Sequence, residues 1–242
     1  MDILNDAILN GIIFFYHILG GNLGLAIIAF TAVTKIILFP LSAPQLKMSA
    51  KQKQIAPELD EIKKKFANDK TKLSQAQMEL FKKHGVNPFA GCLPMIIQLV
   101  ILFALFRTFN ELTNSTDISM INDRLYPFIQ PLTNGLNFKF LYLDLSQKDQ
   151  LLIIPVLAAI AQFYASKMMM GTASAATKMA KKTKEKSDDL MAGMQSQMLY
   201  VFPIMTLVWG VMWPSGIALY WLISTLFIII QNHIILRNMP KT

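Results

Sequence analysis

The chain has 242 residues, 53% of them hydrophobic and 16% charged, with a mean hydropathy of +0.41, a balance that excludes an ordinary soluble domain and indicates a membrane protein. A formal charge of +8 does not by itself point to nucleic acid, because the lysines fall in blocks rather than along one face, and no specific DNA partner is expected. The single cysteine, Cys92, excludes an intrachain disulfide and a multi-cysteine metal centre, so neither metal nor cofactor is expected.

Residues 2–19, DILNDAILNGIIFFYHIL, are apolar but short and are interrupted by Asn5, Asp6, Asn10 and Gly11. They suit an interfacial amphipathic helix, and residues 1–21 are read as an amino-terminal interfacial segment. A further span from Ile12 to Leu25, which would reverse the amino terminus, stays open. No lysine-rich n-region precedes an h-region and a cleavage site, so a cleavable signal peptide is not expected. Gly20-Gly21-Asn22 turns the chain inward.

A first membrane span is expected over 22–41, and inside it stands Lys35. An ammonium at the centre of a bilayer helix costs about 2.5 to 3.5 kcal/mol on insertion scales. Lys35 lies about 9 Å from the end of the span at helical rise, so two readings remain open. Its stem can snorkel to the surface, or it faces a water-containing pocket that removes much of the cost.

From 42 to 89 the composition becomes lysine-rich and helix-forming, with ten lysines. Ile55, Leu59, Ile62 and Phe66 recur at helical spacing, as do Leu73, Ala76 and Leu80, giving two helices with one apolar stripe each. Asn68-Asp69-Lys70-Thr71 supplies a turn and a cap, and Gly85 ends the second helix after Lys82, Lys83 and His84. The expectation is a cytoplasmic antiparallel hairpin. Its Lys51, Lys53, Lys63, Lys64, Lys65, Lys82 and Lys83 are candidates for partner recruitment. Pro57 either kinks the first helix, the favoured reading, or opens a new one.

Further spans are expected at 90–110, 150–168, 198–213 and 216–236. Residues 111–149 carry turn signals without a long period and receive no function. Residues 169–197 are rich in lysine, alanine, serine and methionine and are read as a flexible basic loop, either a solvated linker or a surface for anionic lipid or ribosomal RNA. Trp213-Pro214-Ser215-Gly216 reads as a tight turn in which Pro214 presets φ and Gly216 takes the left-handed position, making the last two spans an antiparallel hairpin. The lysine blocks at 42–89 and 169–195 belong inside by the positive-inside rule, so the amino terminus is expected outside and the carboxyl terminus in the cytoplasm. The fold class is all-α, polytopic, with five membrane helices.

No Asp or Glu lies within these five runs. Paired carboxylates, a metal-ligand cluster and a nucleophile with its base are all missing, which argues against an enzyme. Polar residues nevertheless sort onto faces: Thr31, Lys35 and Ser42 on the first span, Tyr220, Ser224 and Gln231 on the last, with Gln98 and Gln162 on the second and third. Singly, each reads as an interhelical hydrogen bond. Together with Lys35 they outline a groove in which a polar or acidic polypeptide segment can rest while its apolar part moves into lipid.

Several runs bring a family into view. Gly24-Leu25-Ala26-Ile27-Ile28 with Thr31, a basic residue four later and Phe39-Pro40-Leu41 resembles the first core span of the YidC/Oxa/Alb membrane protein insertases. The resemblance continues through His84-Gly85-Val86-Asn87-Pro88, Gly91-Cys92-Leu93-Pro94, Ile97-Gln98, Phe202-Pro203, Trp213-Pro214-Ser215-Gly216 and Leu219-Tyr220. It covers roughly residues 20 to 237.

The resemblance, to the short Gram-positive-like bacterial type, implies a five-helix core (22–41 and 90–237) around a hydrophilic groove open to cytoplasm and lipid in the bacterial plasma membrane. It implies an insertase and folding chaperone that receives hydrophobic nascent membrane proteins, alone or beside the Sec translocon, with ribosome and signal-recognition targeting factors as partners. By matched position Lys35 stands where the family usually has its groove arginine, Thr31 lies one turn before it, and Tyr220 with Trp221 forms the substrate-contacting aromatic pair. Gln98, Gln162 and Ser224 complete the expected groove. Lysine for arginine keeps the charge and loses the planar fork, and Val100 replaces a common proline. A five-residue tail after Arg237 leaves ribosome contact to the hairpin or the basic loop. The alternative, a small-solute transporter or channel, is disfavoured by the missing membrane carboxylates and the lack of an inverted repeat. A third reading is a structural assembly partner with a closed core.

Overall fold

The structure, a computed structural model, describes residues 2–66, 69–86, 93–114, 118–170 and 197–237. The basic loop expected at 169–197 falls almost wholly outside the described residues, as do Asn87 to Cys92. What is described is mostly helical: α1 (Asp2–Ile18), α2 (Leu23–Ile37), α3 (Phe39–Gln54), α4 (Ala56–Lys65), α5 (Lys70–Lys83), α6 (Leu93–Asn114), α7 (Ile118–Asn122), α8 (Ile153–Met170), α9 (Phe202–Met212) and α10 (Ser215–Arg237). A two-stranded hairpin, β1 (Lys139–Phe140) and β2 (Leu143–Asp144), lies between α7 and α8.

Helix α1 buries Ile8, Leu9, Ile12 and Ile13, one stripe at helical spacing, in the same core as Leu23, Ala26 and Ile27 of α2 and Leu102, Leu105 and Phe109 of α6. Gly20 and Gly21 then take positive φ (69° and 76°), and Asn22 Oδ1 accepts the Leu25 amide at 3.0 Å to cap α2. The segment between α6 and α8 follows α1 along its length. Asn10 Nδ2 donates to Arg124 O at 2.9 Å, the Asn137 amide donates to Tyr16 Oη at 3.0 Å, and His17 Nε2 donates to Gln130 O at 2.8 Å. Arg124 holds Asp6 and Glu111 in one half-buried ion triad.

Two expectations change in the structure. The first expected span does not run straight to residue 41: α2 stops at Ile37 and α3 leaves at 58°. Pro40 sits in the first turn of α3, where its missing N–H costs nothing. Ser42 therefore leaves the Thr31–Lys35 stripe, and its Oγ donates to Phe39 O at 3.0 Å within its own turn. The favoured kink at Pro57 is likewise replaced by a new helix, since α3 ends at Gln54 and Pro57 lies in the opening turn of α4. Pro44, by contrast, is carried inside α3.

The stripe of α4 meets that of α5 as the periodicity demands: Ile55, Leu80, Phe81 and Val86 are buried together, with Leu59, Ile62 and Met48 packed on them. Asp69 Oδ1 accepts the Lys72 amide at 3.1 Å, and this bond holds the Asp69 carboxyl below its ordinary value. Gly85 ends α5 at φ 61°.

Gly216 does not occupy a left-handed position. It lies in the first turn of α10, where its amide donates to Leu145 O at 3.1 Å and where a Cβ would overlap the buried Phe109 ring. Close approach, not φ, requires glycine here. Ser215 adds two bonds to the same strand region, its amide to Gln147 O at 2.7 Å and its Oγ to Asp144 O at 2.9 Å. Nor do α9 and α10 pair chiefly with each other: α8 packs against both far more extensively.

Among the described residues two helices are long and apolar enough to cross a membrane, Ile96–Asn114 and Ser215–Ile235, with a third where the bent pair Leu23–Ile37 and Phe39–Met48 is counted as one span. Ile153–Met168 and Leu199–Met212 are apolar but shorter. The chain is a helical membrane protein.

Candidate functional site

The polar residues singled out by the sequence come together in two clusters on α10. Tyr220 and Ser224 are one turn apart, as are Trp221 and Thr225, and the two pairs stand about 100° apart around the helix. They consequently face different neighbours.

In the first cluster Lys35 reaches from α2 to α6, and its Nζ donates to Gln98 Oε1 at 2.9 Å. Gln98 is a junction: its Nε2 donates to Tyr220 Oη at 3.2 Å, and its Oε1 also accepts from Ser224 Oγ at 3.3 Å. Tyr220 and Ser224 are buried, while Lys35 and Gln98 are half-buried. Gln231 Nε2 donates to Lys35 O at 3.1 Å, tying α10 to α2 two turns beyond Ser224. Thr31 is buried on the same face of α2, but its Oγ1 is satisfied by Ile27 O at 2.6 Å and does not join the network.

The second cluster lies between α8 and α10. Trp221 Nε1 donates to Gln162 Oε1 at 3.3 Å, and Thr225 Oγ1 donates to the same oxygen at 3.4 Å. Trp221 also borders an apolar pocket with Trp209 and Trp213, whose rings stack at 5.3 Å. Gln162 and Trp221 thus do not share a cluster with Lys35. Thr225 was not singled out by the sequence reading, and its placement i+4 from Trp221 was the available signal.

Among the described residues no carboxylate lies within ion-pair distance of Lys35, so the first cluster carries an uncompensated positive charge flanked by neutral hydroxyl and amide groups. Among the described residues there is also no group of three or more His, Cys, Asp or Glu able to hold a metal ion. Hydrogen bonding and a fixed charge are the chemistry available.

In α3 to α5, Lys51, Lys64, Lys65, Lys82 and Lys83 are exposed. Lys83 Nζ lies 3.8 Å from Glu58, which also receives His84 Nε2 at 3.1 Å, so the two helices are clasped near their open end. Lys53 and Lys63 belong to α3 and α4.

Apolar helices carrying polar and cationic side chains between them define a helical membrane protein with a polar interior. Comparison with known proteins specifies the class. The model of the family described as "60Kd inner membrane protein" matches residues 14–242. The chain is 37% identical over 218 residues to the membrane protein insertase YidC of Fusobacterium nucleatum, covering 90% of this chain and 88% of that protein. It is 32% identical over 229 residues to membrane protein insertase YidC 2 of Bacillus anthracis, covering 93% and 76%. Membrane protein insertase MisCA of Bacillus subtilis is 33% identical over 221 residues, covering 89% and 71%. The chain belongs to this family, the YidC/Oxa membrane protein insertases, which are integral inner membrane proteins and perform no covalent chemistry.

Proposed function

We propose that the Lys35 cluster is the polar lining of a groove open to the cytoplasm and to lipid, through which this insertase passes the short polar segments of hydrophobic nascent membrane proteins and helps them fold. The carrying observation is the state of the ammonium. It has three hydrogens to donate, and Gln98 is its one protein partner among the described residues. At membrane depth the remaining hydrogens require water or an anionic group. A groove that holds water shortens the distance a polar segment travels through hydrocarbon, and the fixed cation attracts acidic residues into it. The apolar segment of the substrate then leaves sideways between helices.

In this reading five segments cross the membrane, at 22–41 (α2 with the first turn of α3), 90–110, 150–168, 198–213 and 216–236, with the amino terminus and residues 1–21 outside and the carboxyl terminus in the cytoplasm. The bonds that join α1 to the α6–α8 segment support placing the two on the same side of the membrane. Residues 42–89 form the cytoplasmic hairpin, whose lysines recruit ribosome or signal-recognition factors, and the basic loop at 169–197 lies on the same side. The Sec translocon is a partner for larger substrates. Trp221 and Gln162 line the wall between α8 and α10.

Purified protein in liposomes, given a short single-spanning substrate with an acidic outer segment, tests the assignment. Lys35→Ala is expected to lower insertion several-fold and Lys35→Arg to retain most of it. Insertion by Lys35→Ala equal to the parent would remove the electrostatic role.

A further inference from the structure

We propose that the tip of the β1–β2 hairpin, together with the residues that lead into α8, inserts into the membrane leaflet on its own side and anchors the α6–α8 segment there. The hairpin turns through Leu141 and Tyr142. Leu141 has φ 53° and is 84% exposed. The first central position of a tight hairpin turn with positive φ ordinarily carries glycine, and a leucine is disfavoured there by the contact of its Cβ with the following carbonyl. Such a conformation persists where something else holds it. Here the turn presents an aliphatic side chain at its apex, which in water gains nothing and in lipid gains burial.

The height of the tip is fixed by one carboxylate. Tyr142 Oη donates to Asp149 Oδ2 at 3.0 Å, and the same buried Asp149 accepts the amides of Leu151 at 3.0 Å and Ile154 at 2.8 Å, capping the start of α8. The tip is therefore held level with the point where α8 enters the membrane. At that level Leu151 is 64% exposed, and Leu152, a second leucine at positive φ (57°), is also exposed. The apolar surface continues without a break down α8 through Val156, Leu157 and Ile160, all exposed. A helix of an integral membrane protein meets lipid on such a face, and the tip extends the same face by one layer. Tyr142 suits the headgroup boundary, and the exposed Lys139 and Lys148 stand beside it to meet lipid phosphates. Which leaflet receives the tip follows from the orientation proposed above; contact with lipid does not depend on it.

Spin labels at Leu141→Cys and Leu151→Cys, in a Cys92→Ser chain reconstituted in vesicles of anionic and zwitterionic phospholipid, test this. Exposed Thr133, in the same α6–α8 segment, serves as the water-facing reference through Thr133→Cys. The ratio of oxygen to nickel-chelate accessibility is expected to be several-fold higher at 141 and 151 than at 133. Nickel accessibility at 141 equal to that at 133 would overturn the proposal, and so would low accessibility to both relaxants, which would mean a protein surface covers the tip. An impermeant reductant added outside right-side-out vesicles reads the Thr133 label separately. Protection of that label would contradict the orientation proposed above and leave the lipid contact standing.

Discussion

Gln98→Leu is expected to abolish most insertion and to destabilise the protein, and Gln98→Glu to separate those two effects. One amide serves Lys35, Tyr220 and Ser224. Leucine matches its volume and offers no polar atom, so the Lys35 ammonium loses its protein partner and the buried Tyr220 hydroxyl keeps only Ser224. Leaving such a group unsatisfied costs about 1–3 kcal/mol, a sizeable share of the stability of a protein this size. Glutamate is nearly isosteric, keeps an acceptor for Lys35 and Ser224, and adds a charge that pairs with the ammonium. Thermal unfolding in detergent is expected to shift down for Gln98→Leu and to stay level or rise for Gln98→Glu. Insertion of an acidic-tailed substrate is expected to fall for both, because glutamate cancels the charge that attracts the tail. A Gln98→Glu protein that inserts as well as the parent would show that net charge in the cluster is unimportant.

The second large effect is expected at Gly216. A Cβ there would stand 2.6 Å from Phe109 Cε2 and 3.3 Å from Leu145 O. Phe109 is 1% exposed and packed on all sides, so it cannot turn away. Gly216→Ala is expected to cost about 1–3 kcal/mol, the usual range for overpacking, and Gly216→Val to prevent accumulation of folded protein. Gly135→Ala is the control, since a Cβ at that position meets nothing within 4 Å. Equal melting temperatures for Gly216→Ala and Gly135→Ala would mean that α6 and the start of α10 are not in this contact.

How far the sequence could be read depended on whether a residue's meaning is local. Lys35, Gln98, Tyr220, Ser224 and Gln231 stood out as polar groups inside apolar runs, and all four bonds that join the first cluster link these residues. The division of Tyr220 from Trp221 is also local, since neighbours on a helix point 100° apart, and grouping both with Lys35 overlooked it. Pro57 and Gly216 failed for a different reason. A proline inside a periodic run is compatible with a kink or with a fresh helix start, and a glycine after a turn is compatible with positive φ or with a close neighbour. Only the tertiary partner, here Phe109 and Leu145 for Gly216, decides. The Arg124 triad and the Asp149 cap were invisible because their members are separated by irregular chain that carries no period.

Chemical rescue at position 35 tests the central claim most directly. In a Cys92→Ser chain, Lys35→Cys is expected to insert substrate poorly, and an impermeant cationic methanethiosulfonate applied from the cytoplasmic face is expected to restore insertion where the anionic reagent of similar size does not. That outcome requires position 35 to be reachable by water from inside and to act through its positive charge. Failure of either reagent to react from that face, or equal rescue by both, would contradict the account.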